Sequence, residues 1–365
     1  MTYEFGNGDS ITQSLGKLYR KYGYSRYKMS KFEEYDTYVE NKDFLISDRV
    51  ITFTDVSGKL LAMKPDVTIS IIKNTDGTDG LVHKMYYKEN VYRVSKGTHA
   101  FKEIMQMGLE CIGAIDSYSI CEVVMLAAKT LQAISSDYIL DISHMGIVSS
   151  VLSETEFSPA ETSEIINAIS EKNMPRLLSI CTEKGVPEDL TTKIASLITI
   201  CGTIGEVVSA LSDICTDECS KTALRELEML RDVLEKAGLS KNVQIDFSVV
   251  NDMNYYNGIV FRGYIDGIPT GVLSGGQYDK LMAKMKKNSK ALGFALYMDL
   301  LEFLDNRNNE FDTDVLVVYN GDVSPLKVYS ETEKYTDAGR QVLAIKNVPD
   351  GIRYRELVDL TKGGN

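Results

Sequence analysis

Phe101-Lys102-Glu103-Ile104-Met105-Gln106-Met107-Gly108-Leu109-Glu110 is the stretch on which the fold turns. It reads as most of a long strand, Glu103 to Ile112, and side chains along a strand alternate between the two faces of a sheet. Gln106, Gly108 and Glu110 therefore share one face. A glutamine and a glutamate separated by a glycine leave room and polarity for a small ligand. A solvated sheet face would carry the same pattern, so the neighbouring segments must decide.

Upstream, His83 to Val94 is a second long strand, joined to the first by a connection containing Lys96-Gly97. Asp9-Ser10 opens an amphipathic helix with Ile11, Leu15, Leu18 and Tyr22 on one face and Gly23 at its end. Val50–Phe53 and Leu60–Met63 read as strands around a turn at Ser57-Gly58. Downstream come a helix from Tyr118 to Ile134 and the strand Tyr138–Ile142.

The stretch of about 146–240 is a helical insertion. Ser158-Pro159 has the cap and first-turn proline of a helix start. Leu190, Ile194, Leu197, Ile198 and Cys201 fall at helical spacing, as do Leu224, Leu227, Leu230 and Leu234. A β-meander then resumes over Gln244–Val250, Ile259–Ile265 and Thr270–Leu273, with two-residue turns at Asn257-Gly258 and Asp266-Gly267. Beyond Ser274-Gly275-Gly276, the segments Tyr278–Met285 and Ala291–Leu304 read as helices. The sequence divides into a core over 1–305, a polar linker over 306–312 and a small α/β unit over 313–365. In that unit a strand at Val315–Tyr319, a helix from Pro325 to Ala338, a strand at Val342–Ile345 and a short final helix are expected.

Composition narrows the function. The 365 residues carry 40 Lys and Arg against 52 Asp and Glu, a formal charge of -12. Nucleic-acid binding draws on basic side chains that displace counterions from phosphates, so this balance argues against a nucleic-acid partner. Six cysteines lie scattered in apolar segments rather than in a disulfide framework. Cys215 and Cys219 lack a second pair or a histidine to complete a ligand set, so no metal is expected. Met1 to Gly8 carries no apolar signal and no apolar run is long enough to span a bilayer, which points to a reducing cytoplasm and no membrane partner.

Three further patterns accompany the Gln106–Glu110 strand: Met63-Lys64-Pro65-Asp66-Val67-Thr68, then Asn254-Tyr255-Tyr256-Asn257-Gly258, then Ser274-Gly275-Gly276-Gln277-Tyr278-Asp279. Taken singly, each has a plain explanation. Asp66 or Thr68 can cap a helix, paired tyrosines pack rims, and paired glycines allow close backbone approach. Together, in this order and with Val91-Tyr92-Arg93 between the first and second, they resemble the active-site elements of histidyl-tRNA synthetase over roughly residues 9 to 304. That resemblance implies an α+β fold, the class II aminoacyl-tRNA synthetase-like antiparallel sheet flanked by helices, dimeric through its first motif. It also implies an amino-acid pocket made by Asp66, Thr68, Gln106, Glu110, Tyr255, Tyr256 and Tyr278.

The departures from the synthetase pattern concern charge. Adenylation needs arginines aimed at the developing phosphate charge. Asn251, Leu300, Gln277 and Lys102 stand where that family carries arginines, and Ser30 stands where its first motif has proline. Arg93 persists, so Arg93 and Lys102 are the residual candidates for a phosphate. Retaining the amino-acid pocket while losing the ATP clamp resembles the regulatory subunits of ATP phosphoribosyltransferase. The resemblance implies a non-catalytic chain without cofactor. Such a chain would bind L-histidine and associate with a short-form catalytic subunit of the transferase. The competing expectation is an active histidyl-tRNA synthetase or a free-standing amino-acid ligase.

Overall fold

The computed structural model describes residues 8–41, 45, 50–75, 80–95, 98–250, 255–304 and 311–362. The chain forms two compact units, Met1–Leu301 and Glu302–Asn365.

The first unit opens with α1 (Gly8–Lys21), β1 (Ser25–Arg26), β2 (Phe32–Glu34), α2 (Tyr35–Val39), β3 (Thr52–Thr54) and β4 (Leu60–Met63). Strands β2, β4 and β3 make a small antiparallel sheet, closed at Gly58, whose φ of +85° suits glycine. Next come α3 (Val67–Lys73), β5 (Val82–Val94), β6 (Phe101–Gly113), α4 (Ser117–Ile134) and β7 (Tyr138–His144). The insertion holds α5 (Met145–Ser153), α6 (Pro159–Ser170), α7 (Met174–Glu183), α8 (Glu188–Thr199), β8 (Cys201–Thr203), α9 (Ile204–Val207) and α10 (Glu218–Lys236). The unit closes with β9 (Val243–Asp246), β10 (Ile259–Ile265), β11 (Leu273–Gln277), α11 (Asp279–Lys284) and β12 (Lys290–Tyr297).

A nine-stranded sheet in the order β1-β5-β6-β12-β11-β10-β7-β9-β8 organises this unit. It is the class II synthetase-like sheet flanked by helices, antiparallel through its centre. The pairs β1–β5 and β7–β9 run parallel, so the sheet is mixed rather than wholly antiparallel. Helix α4 packs on it and buries Val123, Val124, Leu126, Ala127 and Leu131. Ser158 caps α6 ahead of Pro159 as expected, and the Glu161 carboxylate accepts in return from the Ser158 N–H.

Several expectations need correction. Residues 290–297 form a strand, not the start of a helix: a short apolar run carries no decisive period, and β6 and β11 pair with it on both sides. Strand β11 begins at Leu273 and runs through Ser274-Gly275-Gly276, where the meander was expected to end. Those glycines are mid-strand because the neighbours crowd in, and a Cβ at Gly276 would stand 2.7 Å from the Tyr256 ring. Strand β9 stops at Asp246, whose carboxylate accepts from the Ser248 N–H at 2.8 Å and turns the chain. Asn257-Gly258 does not join two paired strands, because β7 lies between β9 and β10. Cys201 sits on β8, beyond the end of α8. The Lys96-Gly97 connection and the 305–310 stretch lie outside the described residues.

The second unit holds β13 (Thr313–Val318), α12 (Pro325–Thr336), β14 (Val342–Ile345) and β15 (Tyr354–Asp359). Its parallel sheet has the order β14-β13-β15 around the buried Val315, Leu316 and Val317. Ahead of the short 3-10 helix Leu360–Lys362 that ends the described chain stands β15, a strand the sequence did not announce. Its alternation of half-buried Tyr354, Glu356 and Val358 with exposed neighbours is the period-two pattern of a sheet edge.

Candidate functional site

The residues of interest are placed by strand register. Glu110 on β6 lies opposite Met85 on β5 and Gly293 on β12, and Gly293 lies opposite Gly276 on β11. One register step along, Tyr87, Gly108, Ala295, Ser274 and Arg262 form a second row on the same face. The floor is therefore paved with glycine, alanine and serine across three strands. A methyl on Gly293 would overlap the Glu110 carboxylate, and one on Gly108 would stand 2.6 Å from the Tyr87 hydroxyl. Small residues here keep a cavity of about 460 Å³ open above the sheet.

Asp66, Thr68, Gln106, Glu110, Tyr255, Tyr256 and Tyr278 all line this cavity. Residues from four separate segments of sequence thus converge on one space. Asp66 caps α3 by accepting the Ile69 N–H at 2.9 Å, which fixes the turn that presents Thr68. The Thr68 hydroxyl donates to Glu110 Oε1 at 2.9 Å, and the Tyr278 hydroxyl donates to Glu110 Oε2. Tyr255 stacks edge-on against Tyr256, ring centroids 4.6 Å apart, and tilts against Tyr278 at 5.9 Å.

Glu110 is only 2% exposed, and burial pushes its carboxyl up to about 8 despite the Tyr278 and Thr68 hydrogen bonds. Asp66 is raised too, chiefly by burial, with the Ile69 N–H and the Arg93 charge pulling the other way. Two carboxyl groups held out of water favour a cationic or N–H-bearing ligand, whose charge-assisted bonds are worth roughly 1.5–3 kcal/mol each.

Arg93 also lines the cavity, its Nε donating to the Pro65 carbonyl at 3.1 Å. Lys102 does not join it. Lys102 lies opposite Arg93 in the β5–β6 register but is exposed and outside the cavity wall. Leu300 lies in a short 3-10 turn, and Gln277 donates to Asp279 at 2.6 Å; neither reaches the cavity wall. Asn251 and Asn254 lie outside the described residues.

Sequence reasoning missed Tyr87, Arg262, Ser274 and Tyr297, which also line the cavity. Arg262 was visible as a charge inside the apolar run Ile259–Ile265. The others needed the register: Tyr297 matters because it stands opposite Gln106, and Ser274 because it stands opposite Arg262.

The profile of the family described as Histidyl-tRNA synthetase matches residues 3–301. An ATP phosphoribosyltransferase regulatory subunit from Clostridium kluyveri is 30% identical over 324 residues, covering 85% of this chain and 82% of that one. A solved ATP phosphoribosyltransferase regulatory subunit/histidyl-tRNA synthetase from Bacillus halodurans superposes with a TM-score of 0.77 at 23% identity, covering 100% of this chain and 97% of that chain. A chain of an ATP phosphoribosyl transferase complex from Thermotoga maritima superposes at 0.64 with 18% identity, over 81% of this chain and 98% of that chain. The pocket lies on the sheet that these folds share, and the chain belongs to the histidyl-tRNA synthetase family and, within it, to the ATP phosphoribosyltransferase regulatory subunits.

Proposed function

We propose that this chain is a non-catalytic, histidine-binding subunit that couples end-product level to the activity of a short-form ATP phosphoribosyltransferase catalytic subunit. The observation that carries the reading is the buried carboxyl nest: Glu110 held by Thr68 and Tyr278, with Asp66 nearby, at the edge of an open cavity. An α-ammonium and an imidazole N–H are the donors such a nest would take. The ATP phosphoribosyl transferase complex from Thermotoga maritima supports an assembly of this kind, since it contains a chain of this fold. Self-association through the synthetase-like core belongs to the same reading.

The alternative is an active synthetase or ligase. It is disfavoured by the positions that should clamp ATP. Leu300 is apolar, Gln277 is tied to Asp279, and Lys102 is exposed and outside the cavity wall. Removing one donor aimed at a developing oxyanion costs about 3–4 kcal/mol of barrier, and several are missing.

Feedback needs histidine to bind the inhibited arrangement more tightly than the active one, a preference typically of about 1–3 kcal/mol. The experiment is to mix the chain with a short catalytic subunit and assay phosphoribosyl transfer with and without histidine. The mixture should gain activity and lose it to histidine. A Gln106→Ala, Glu110→Ala double variant should still assemble and activate but resist feedback. Failure to associate, or full inhibition of the variant, would sink the proposal. Histidine-dependent ATP–pyrophosphate exchange at a synthetase-like rate would favour the alternative.

A further inference from the structure

A free amino acid is a zwitterion, and its carboxylate needs a partner as much as its ammonium does. The cavity is polarised. Asp66 and Glu110 mark one side, and among the described residues the positive side chains in its wall are Arg93 and Arg262. Arg93 belongs to the acidic side: its Nε holds the Pro65 carbonyl, next in sequence to Asp66, and its charge acts on Asp66. Arg262 sits on the other side. It projects from β10, in the row Tyr87, Gly108, Ala295, Ser274, Arg262, whose three middle members are all small.

We propose that Arg262 takes the carboxylate of the bound amino acid, an assignment that rests on the amino-acid reading of this cavity. Three strand spacings separate β6 from β10, or about 14 Å. Glu110 reaches in from one end and a long guanidinium side chain from the other, leaving between them a gap of the size of one small zwitterion. Gly271 makes room for this arginine, since a Cβ there would meet its Cγ and Cδ at 2.8 Å. The positive charge is felt inside the cavity: Tyr256, in the wall, has its hydroxyl pulled towards ionisation by Arg262 against the larger effect of burial. A planar fork of N–H donors matches a carboxylate bidentately, which a lysine cannot do. The polar wall beside it, Ser274 and Tyr297 with their hydroxyls 3.2 Å apart, suits a charged rather than an apolar ligand end.

The test compares L-histidine with L-histidinol, which keeps the imidazole and the ammonium but replaces the carboxylate with an alcohol. Calorimetric titration of the full chain should show histidine binding at least about tenfold tighter than histidinol. Arg262→Gln should weaken histidine by about 10- to 100-fold while changing histidinol by less than about threefold. Arg262→Lys should recover part of the loss. Gly271→Val, which displaces the arginine without removing its charge, should show the same selectivity to a smaller extent. Equal affinity of the parent for the two ligands would overturn the assignment without any variant. So would an equal loss of both ligands in Arg262→Gln, or no loss of either. A parent that binds neither ligand would overturn the amino-acid reading itself, and the assignment with it.

Discussion

Strand β6 and helix α10 are both long and both buried, yet they obey opposite rules. Helix α10 buries Ala223, Leu227, Leu230 and Leu234 at helical spacing, and none of its charged side chains is buried. Strand β6 buries Gln106 and Glu110 on one face, either side of Gly108. Burying a carboxyl group costs free energy unless it is paired, so a fold selected for stability alone would not place Glu110 there. The difference teaches where to look: α10 is explained by packing with α4 and α5, whereas β6 is explained only by something that enters the cavity.

The contrast can be broken most forcefully by one substitution against each element, at Gly293, the β12 residue opposite Glu110, and at Leu230 on α10. Gly293→Ala would push a methyl into the Glu110 carboxylate, and histidine affinity measured by calorimetry should fall by at least about 100-fold, with a stability loss of about 1–3 kcal/mol from overpacking. Leu230→Ala should do the reverse. Chemical denaturation should show a loss of about 2–5 kcal/mol, while histidine affinity well below the melting point stays within about threefold of the parent. If Leu230→Ala abolished binding at a temperature where the chain is folded, the two regions would not be separable.

Acidity sharpens the same comparison. Glu110 titrates near 8 in the folded chain against an ordinary value of 4.5, so folding takes up a proton between those values. A raised carboxyl pKa means stability is fullest at low pH and falls as pH rises towards 8, here by an amount on the order of a few kcal/mol. Glu110→Gln should remove that slope and melt higher than the parent at pH 8.5, even though it binds histidine poorly. A Glu110→Gln chain whose melting point tracks the parent's across pH 5 to 9 would show that the carboxyl is not held protonated. The smallest effect is expected at Lys102, exposed and outside the cavity wall. Lys102→Ala should change histidine affinity by less than about twofold.

Much of this was legible in the sequence, and the remainder failed for identifiable reasons. The period of two along β6 put Gln106 and Glu110 on one face, and the resemblance supplied Asp66, Thr68 and the tyrosines, all of which the fold brings to one cavity. Faces are local and can be read from a single strand. Neighbours are not: nothing in Gln244–Gly258 announces that β7 will intervene between β9 and β10, so Asn257-Gly258 looked like a hairpin. The run Ala291–Tyr297 was mistaken for a helix because a strand covered on both edges shows no period of its own. Arg262 stands out as a charge inside the apolar run Ile259–Ile265, but only the register sets it in a row with Ser274 and Ala295.

The most direct measurement is a titration of the isolated chain and of Glu110→Gln with L-histidine at pH 7, read by heat and by the shift in melting temperature. The parent should saturate, and its melting point should climb with ligand concentration, because a ligand that binds only the folded state stabilises it by mass action. Glu110→Gln should keep the unliganded melting point or exceed it, and should lose most of the ligand-dependent shift. Identical histidine responses from the two chains would contradict the claim that the buried carboxyl nest on β6 is a histidine sensor.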